Sequence, residues 1–184
     1  MLFYQFNNAN RTNQNTGNIV RLKPRHFFYA ILVSTIGSQS IAAERGPVTN
    51  LLIPRYVSLK ATEANARRGP SLSHRIDWIF KKKGMPLEIY GEYDNWRRVR
   101  DAEGAGGWIH YSLLSGVRSI VVTSSMADLH RKSNKNSMVL ARIEENYITD
   151  LGKCVKDWCE IDAGKYDGWV KKTDIWGVAP NEVR

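Results

Sequence analysis

Cysteine and histidine are scarce: two Cys (Cys154 and Cys159) and four His occur in 184 residues. Two Cys without a neighbouring His make a poor metal site. No Ser-His-Asp, Cys-His or His-cluster signature marks a catalytic centre either. The sequence therefore nominates no catalytic residue, no metal ligand and no cofactor. Long apolar runs are also missing. The run from Phe27 to Val33, extended through Ser34, Thr35 and Ile36 to Gly37, ends well short of the roughly 20 apolar residues that cross a bilayer. Beyond it, no segment sustains the i, i+3, i+4, i+7 pattern of a long amphipathic helix. Acidic residues are absent from positions 1–42, so four of the 27 basic residues fall there unopposed. The remaining 23 face 18 acidic residues, and the formal charge of +9 shrinks to a mixed +5. That excess is too small to announce a nucleic-acid partner. With 42% hydrophobic residues, six Trp and eight Tyr, the chain has the composition of a folded protein and not of a disordered one.

What stands at the front is a leader. Arg21, Lys23 and Arg25 precede the apolar run, and Ser40-Ile41-Ala42 places small side chains at the −3 and −1 positions of a cut after Ala42. Basic region, short apolar region and small-residue site form the layout of a secretory signal. A leader over 1–42, with the signal proper at about 20–42, is expected, and a mature chain starting near Ala43 or Glu44. An uncleaved anchor and a cytosolic protein are the alternatives. The expected location is periplasmic or secreted, with no stable membrane span after cleavage.

The rest of the chain contains a repeat. Gly91-Glu92-Tyr93-Asp94-Asn95-Trp96-Arg97-Arg98-Val99 leads to Gly107-Trp108-Ile109, and Gly152-Lys153-Cys154-Val155-Lys156-Asp157-Trp158-Cys159-Glu160-Ile161 leads to Gly168-Trp169-Val170. The Trp-to-Trp spacing is 12 in one copy and 11 in the other, and corresponding Trp residues lie 62 and 61 positions apart. Each copy reads as short β-favouring segments separated by turn residues, the pattern of a small barrel closed on itself.

The motif set is similar to the bacterial SH3-like domain, in the tandem exported form found in alphaproteobacteria. The residues that carry the likeness are Asn65-x-Arg67-x-Gly69-Pro70, Trp78-Ile79, Trp96-Arg97-Arg98-Val99-Arg100-Asp101 and Gly107-Trp108-Ile109-His110 in the first copy. In the second they are Asp157-Trp158-Cys159, Gly168-Trp169-Val170 and Ile175-Trp176-Gly177-Val178. The second copy lacks an Arg-x-Gly-Pro element. The resemblance implies an all-β chain: two tandem SH3-like barrels, over 56–118 and 122–180, each with five strands and a long first loop. It implies a binding role without catalytic chemistry.

Within that frame, Cys154 and Cys159 flank a four-residue connection between paired strands, which in an exported domain favours a disulfide. Aligned on the Trp, Glu92 and Arg97 occupy the same two positions in the first copy, and an ion pair there is worth about 0–1 kcal/mol if exposed. Alternation along a strand puts Trp96 and Trp158 on the face opposite Val99 and Ile161, together with Arg98 and Glu160. A Trp so placed is either covered by the long loop or open to a ligand. Trp96, Arg98, Arg67 and Trp158 are the candidate ligand-binding residues. Trp176 is the candidate seal between the copies. The expected partner is peptidoglycan or its peptides, met by an aromatic and basic groove; the alternative is an envelope protein held by an adaptor or self-associating scaffold. No nucleic acid is expected.

Overall fold

The computed structural model describes residues 44–184. The expected leader and signal lie outside the described residues, among which no helix is long and apolar enough to cross a membrane. A short hairpin, β1 (Glu44–Arg45) and β2 (Leu52–Ile53), comes first. Seven strands follow: β3 (Arg55–Leu59), β4 (Ala64–Arg67), β5 (Ile76–Phe80), β6 (Pro86–Tyr93), β7 (Trp96–Arg100), β8 (Gly106–His110) and β9 (Leu114–Ser115). Seven more complete the chain: β10 (Ser119–Val122), β11 (Met126–His130), β12 (Val139–Glu144), β13 (Ile148–Cys154), β14 (Trp158–Asp162), β15 (Asp167–Lys171) and β16 (Ile175–Trp176). The first set is ordered β5-β4-β8-β7-β6-β3-β9 and the second β12-β11-β15-β14-β13-β10-β16, so every label rises by seven. The repeat in sequence is a repeat in topology. Each copy has seven strands where five were expected, because the long first loop is itself a hairpin, β4 with β5 and β11 with β12.

Alternation along the strands builds the two cores. In Trp96-Arg97-Arg98-Val99-Arg100, Val99 points inward and is fully buried, beside Leu59, Phe80, Leu87, Ile89 and Ile109. Ile161 takes the same place in the second barrel, beside Ile120, Val122, Leu129 and Val170. Each such side chain contributes about 1.5–3 kcal/mol by leaving water.

Cys154 and Cys159 are cross-strand partners joined by a disulfide. Glu92 and Arg97 are cross-strand partners at the matching site of the first barrel, and their ion pair is not the exposed one weighed above. The Glu92 side chain is fully buried and that of Arg97 only 8% exposed. Arg55 also pairs with Glu92 at 3.0 Å. The loop between β1 and β2 closes over the same carboxylate: Thr49 donates to it from N (2.9 Å) and from Oγ1 (2.7 Å), and Val48 from N (3.2 Å). Burial pushes the Glu92 carboxyl up, but these donors outweigh it and hold the group below its ordinary value.

The connection between the barrels is only Gly116, Val117 and Arg118. Trp176 meets Tyr56 edge to face, with centroids 5.1 Å apart. Arg118 sits over the same Tyr56 ring and grips both oxygens of Glu182 (2.9 and 3.0 Å) and the carbonyl of Gly177 (2.8 Å). Trp176 thus occupies the seam, as its position near the chain end suggested.

Candidate functional site

The long first loop of the first barrel is fastened by the Asn65-to-Pro70 motif. Arg67 donates from Nη1 to the carbonyls of Leu72 (3.0 Å) and His74 (2.7 Å), which bends the loop back over the sheet. Gly69 passes beneath the His74 ring, where an added Cβ would come within 2.4 Å of Nε2. Arg68 and Arg75 both pair with Asp77 at the loop end of the hairpin. Their hydrogen bonds, Arg68 foremost, hold the Asp77 carboxyl below its usual range.

The fastened loop covers Trp96. This Trp does lie on the outer face, opposite Val99, yet it is only 9% exposed. Its partner across the sheet is His110, whose ring it meets edge to face at 5.6 Å. His110 in turn binds Ser112 and caps the 3₁₀ turn Tyr111–Leu113. Between loop and sheet remains a cleft of about 170 Å³, lined by Glu63, Asn65, Arg67, Leu72, Trp96 and His110, among others. That volume suits one side chain or one small polar group and is below the roughly 300–1,000 Å³ of whole-ligand pockets.

The second barrel has the same cleft. Trp158 is 8% exposed and pairs across the sheet with Lys171, whose Nζ lies 5.9 Å from the indole centroid. Ser133, Asn134, Lys135, Asp157 and Thr173 complete a wider opening of about 450 Å³. His130 meets Trp158 edge to face at 5.0 Å, and its Nδ1 lies 3.0 Å from the carbonyl of Ser137. In register, His130 pairs with Trp169 as Arg67 pairs with Trp108. A buried His therefore ties the second loop where an Arg ties the first. The sequence offered a faint signal: Arg67 precedes Trp108 by 41 residues and His130 precedes Trp169 by 39.

The Gly-Trp pairs follow from the same register. A Cβ on Gly107 would stand 2.6 Å from the Arg67 carbonyl oxygen, and one on Gly168 would stand 2.7 Å from that of His130. Only Gly lets β4 and β11 come that close to β8 and β15.

The candidate residues are thus sorted by position. Trp96 and Arg67 line the first cleft, and Trp158 lines the second. Arg98 shares the outer face with Trp96 but stands outside the cleft, exposed, its guanidinium 5.1 Å from the Tyr90 centroid. His110 and Lys171, at matching positions on the cleft walls, were not singled out as ligand contacts from the sequence.

No curated protein matches the chain. Solved structures of NlpC1 and NlpC2 from Trichomonas vaginalis are similar over 76% and 67% of this chain and 50% and 48% of theirs, at 14% and 13% identity and a TM-score of 0.32 in each case. The chain spans about half the length of those proteins. The family model described as bacterial SH3 domain matches twice, at residues 60–116 and 124–177, and both matches fall on the two barrels. With more than half of its residues so matched, the chain belongs to the bacterial SH3 domain family.

Proposed function

We propose that the protein is a non-enzymatic binding module of the cell envelope, periplasmic or secreted, that recognises peptidoglycan or its stem peptides. The observation that carries this reading is the duplicated cleft. Each barrel holds a Trp at the floor, a polar or cationic side chain opposite it and a tied loop as the far wall. A buried Trp offers an apolar wall to a short aliphatic side chain, and a Lys or Arg beside it offers charge-assisted hydrogen bonds to a carboxylate. Stem peptides carry both groups. Two such clefts on one chain bind a repeating polymer more tightly than either alone.

The test is co-sedimentation with purified sacculi across a salt series. Because Trp96 and Trp158 are buried, the informative variants change the cleft lips: Leu72→Asp, at a side chain 76% exposed, and Lys171→Glu. Saturable binding, weakened by either change and lost in the double variant, is the expected result. Binding unaffected by both removes the clefts from the recognition, and no binding of the unaltered protein at low salt removes the cell wall as ligand.

A further inference from the structure

The two barrels carry opposite charge on the same outer face. In the first, a cross-strand row runs from Gly91 through Arg98 and Trp108 to Arg67. In the second, the matching row runs from Gly152, against which Glu160 packs, through Trp169 to His130. Arg98 is thus replaced by Glu160 at one lattice position. One step further along β7 and β14, Arg100 is replaced by Asp162. The position opposite Arg100 on β8 is Gly106, and the position opposite Asp162 on β15 is Asp167.

The basic face is pre-ordered. Both Arg98 and Arg100 stack on the Tyr90 ring, at 5.1 and 5.3 Å from its centroid. Arg100 pairs with Glu88, while Arg98 has no carboxylate partner among the described residues. The acidic face has no cation paired to it among the described residues, although Asp162 accepts a hydrogen bond from the Gly164 N–H (2.6 Å). Asp150, Glu160, Asp162 and Asp167 line one cleft of about 280 Å³, and none of the four forms an ion pair among the described residues. Like charges directly opposite one another, as Asp162 and Asp167 are, destabilise a sheet. A cationic surface seated there removes that penalty. The wider charge distribution agrees: residues 44–123 hold 13 basic and 8 acidic side chains, and residues 124–184 hold ten of each.

We propose that the chain associates head to tail with a second copy of itself, the Arg98 and Arg100 face of the first barrel against the Asp150, Glu160, Asp162 and Asp167 face of the second. Planar guanidinium groups suit paired carboxylates, and their stacking on Tyr90 lowers the entropy lost on docking. Half-buried Trp108 and Trp169 lie in the middle of the two rows and supply the apolar centre. Each chain has one face of each sign, so the contact is heterologous and propagates until a ring closes or a filament grows.

Sedimentation velocity of the full chain over a concentration series tests this without any cell-wall material, so its failure leaves the cleft reading standing. Association that grows with concentration at low salt and fades at high salt is expected. Arg98→Glu with Arg100→Glu makes both faces acidic, and Glu160→Arg with Asp162→Arg cancels the charge of the second face and sets Arg against Arg at the two docking pairs. Each double variant should associate about a hundredfold more weakly, a factor of ten per lost pair. Mixing the two double variants, or combining all four changes in one chain, should restore association. A monomer at every concentration in low salt overturns the proposal. So does loss in the Arg variant alone, which would set the Arg98 and Arg100 face against some other surface of the second copy, and so does failure of the fourfold exchange to restore assembly.

Discussion

Arg97 lies 3.6 Å from Glu92 inside the first barrel, at the register position where the second barrel has its disulfide. One hairpin is held by charge and the other by a covalent bond. The charged solution depends on the rest of the network, because an isolated buried carboxylate would be severely destabilising. Thr49, Val48, Arg55 and Arg97 converge on Glu92 and join the segment preceding the barrel to its core.

Glu92→Gln keeps the shape and removes the charge, and is expected to destabilise the protein at neutral pH by about 3 kcal/mol. The pH dependence has a definite sign. The Glu92 carboxyl titrates lower in the folded state than its ordinary value of 4.5, so its contribution is complete above that value and is lost as pH falls through the folded pKa. Denaturant unfolding of both proteins between neutral and acid pH checks this. The gap between them should narrow on acidification, and a constant gap would show that Glu92 acts by shape and not by charge.

Cys154 and Cys159 are separated by five positions, so the disulfide closes a small loop. Chain-entropy arguments give about 2 kcal/mol for such a closure. Replacing both with Ala should lower the stability of the second barrel by about that amount, as should reductant on the unaltered protein, while the first barrel keeps its own. Chemical unfolding followed by a probe in each barrel separates the two. Equal loss in both barrels would mean that they unfold as one unit.

Much of this was legible because it is local. The spacing of Trp96 to Trp108 and of Trp158 to Trp169 sits within a single three-strand run, and the Gly before the second Trp of each pair marks where another backbone passes. The covering of Trp96 was not legible in the same way. It depends on Arg67 reaching the carbonyls of Leu72 and His74, a fold-back that strand alternation does not specify. The role of His130 was hidden by a change of side chain and by two single-residue shortenings, one between His130 and Trp158 and one between Trp158 and Trp169. The clasp on Glu92 joins positions 43 residues apart, beyond any local pattern.

The close approach at the Gly-Trp pairs gives a comparison within one protein. Gly107→Ala and Gly168→Ala each drive a Cβ into a carbonyl oxygen, and Gly107 also has φ +153°. Gly104 has φ +86° but nothing within 4 Å of an added Cβ. Ala at Gly104 is therefore expected to cost about 1–2 kcal/mol from backbone strain alone. Ala at Gly107 should cost about 1–3 kcal/mol more, because β4 must move away from β8. Thermal unfolding measures all three, and equal losses at Gly104 and Gly107 would rule out the contact as the reason for Gly before Trp.

Tyr56 reports on the seam between the barrels. Burial first, and then the charge of Glu88, push its phenol from 10.0 up to about 12, with Arg100 and Arg118 opposing. The folded state therefore holds this proton where the unfolded state has released it. The contribution to stability is full below about pH 10 and is lost as pH rises through about 12. A phenolate absorbance titration of the native protein should show a tyrosine that ionises late, near 12. Trp176→Ala removes the ring that meets Tyr56 edge to face and opens the seam to water. The lagging titration should then move back toward the ordinary value. A lag unchanged by Trp176→Ala would place the cause within the first barrel, at Glu88 and the packing of β3, and not at the seam.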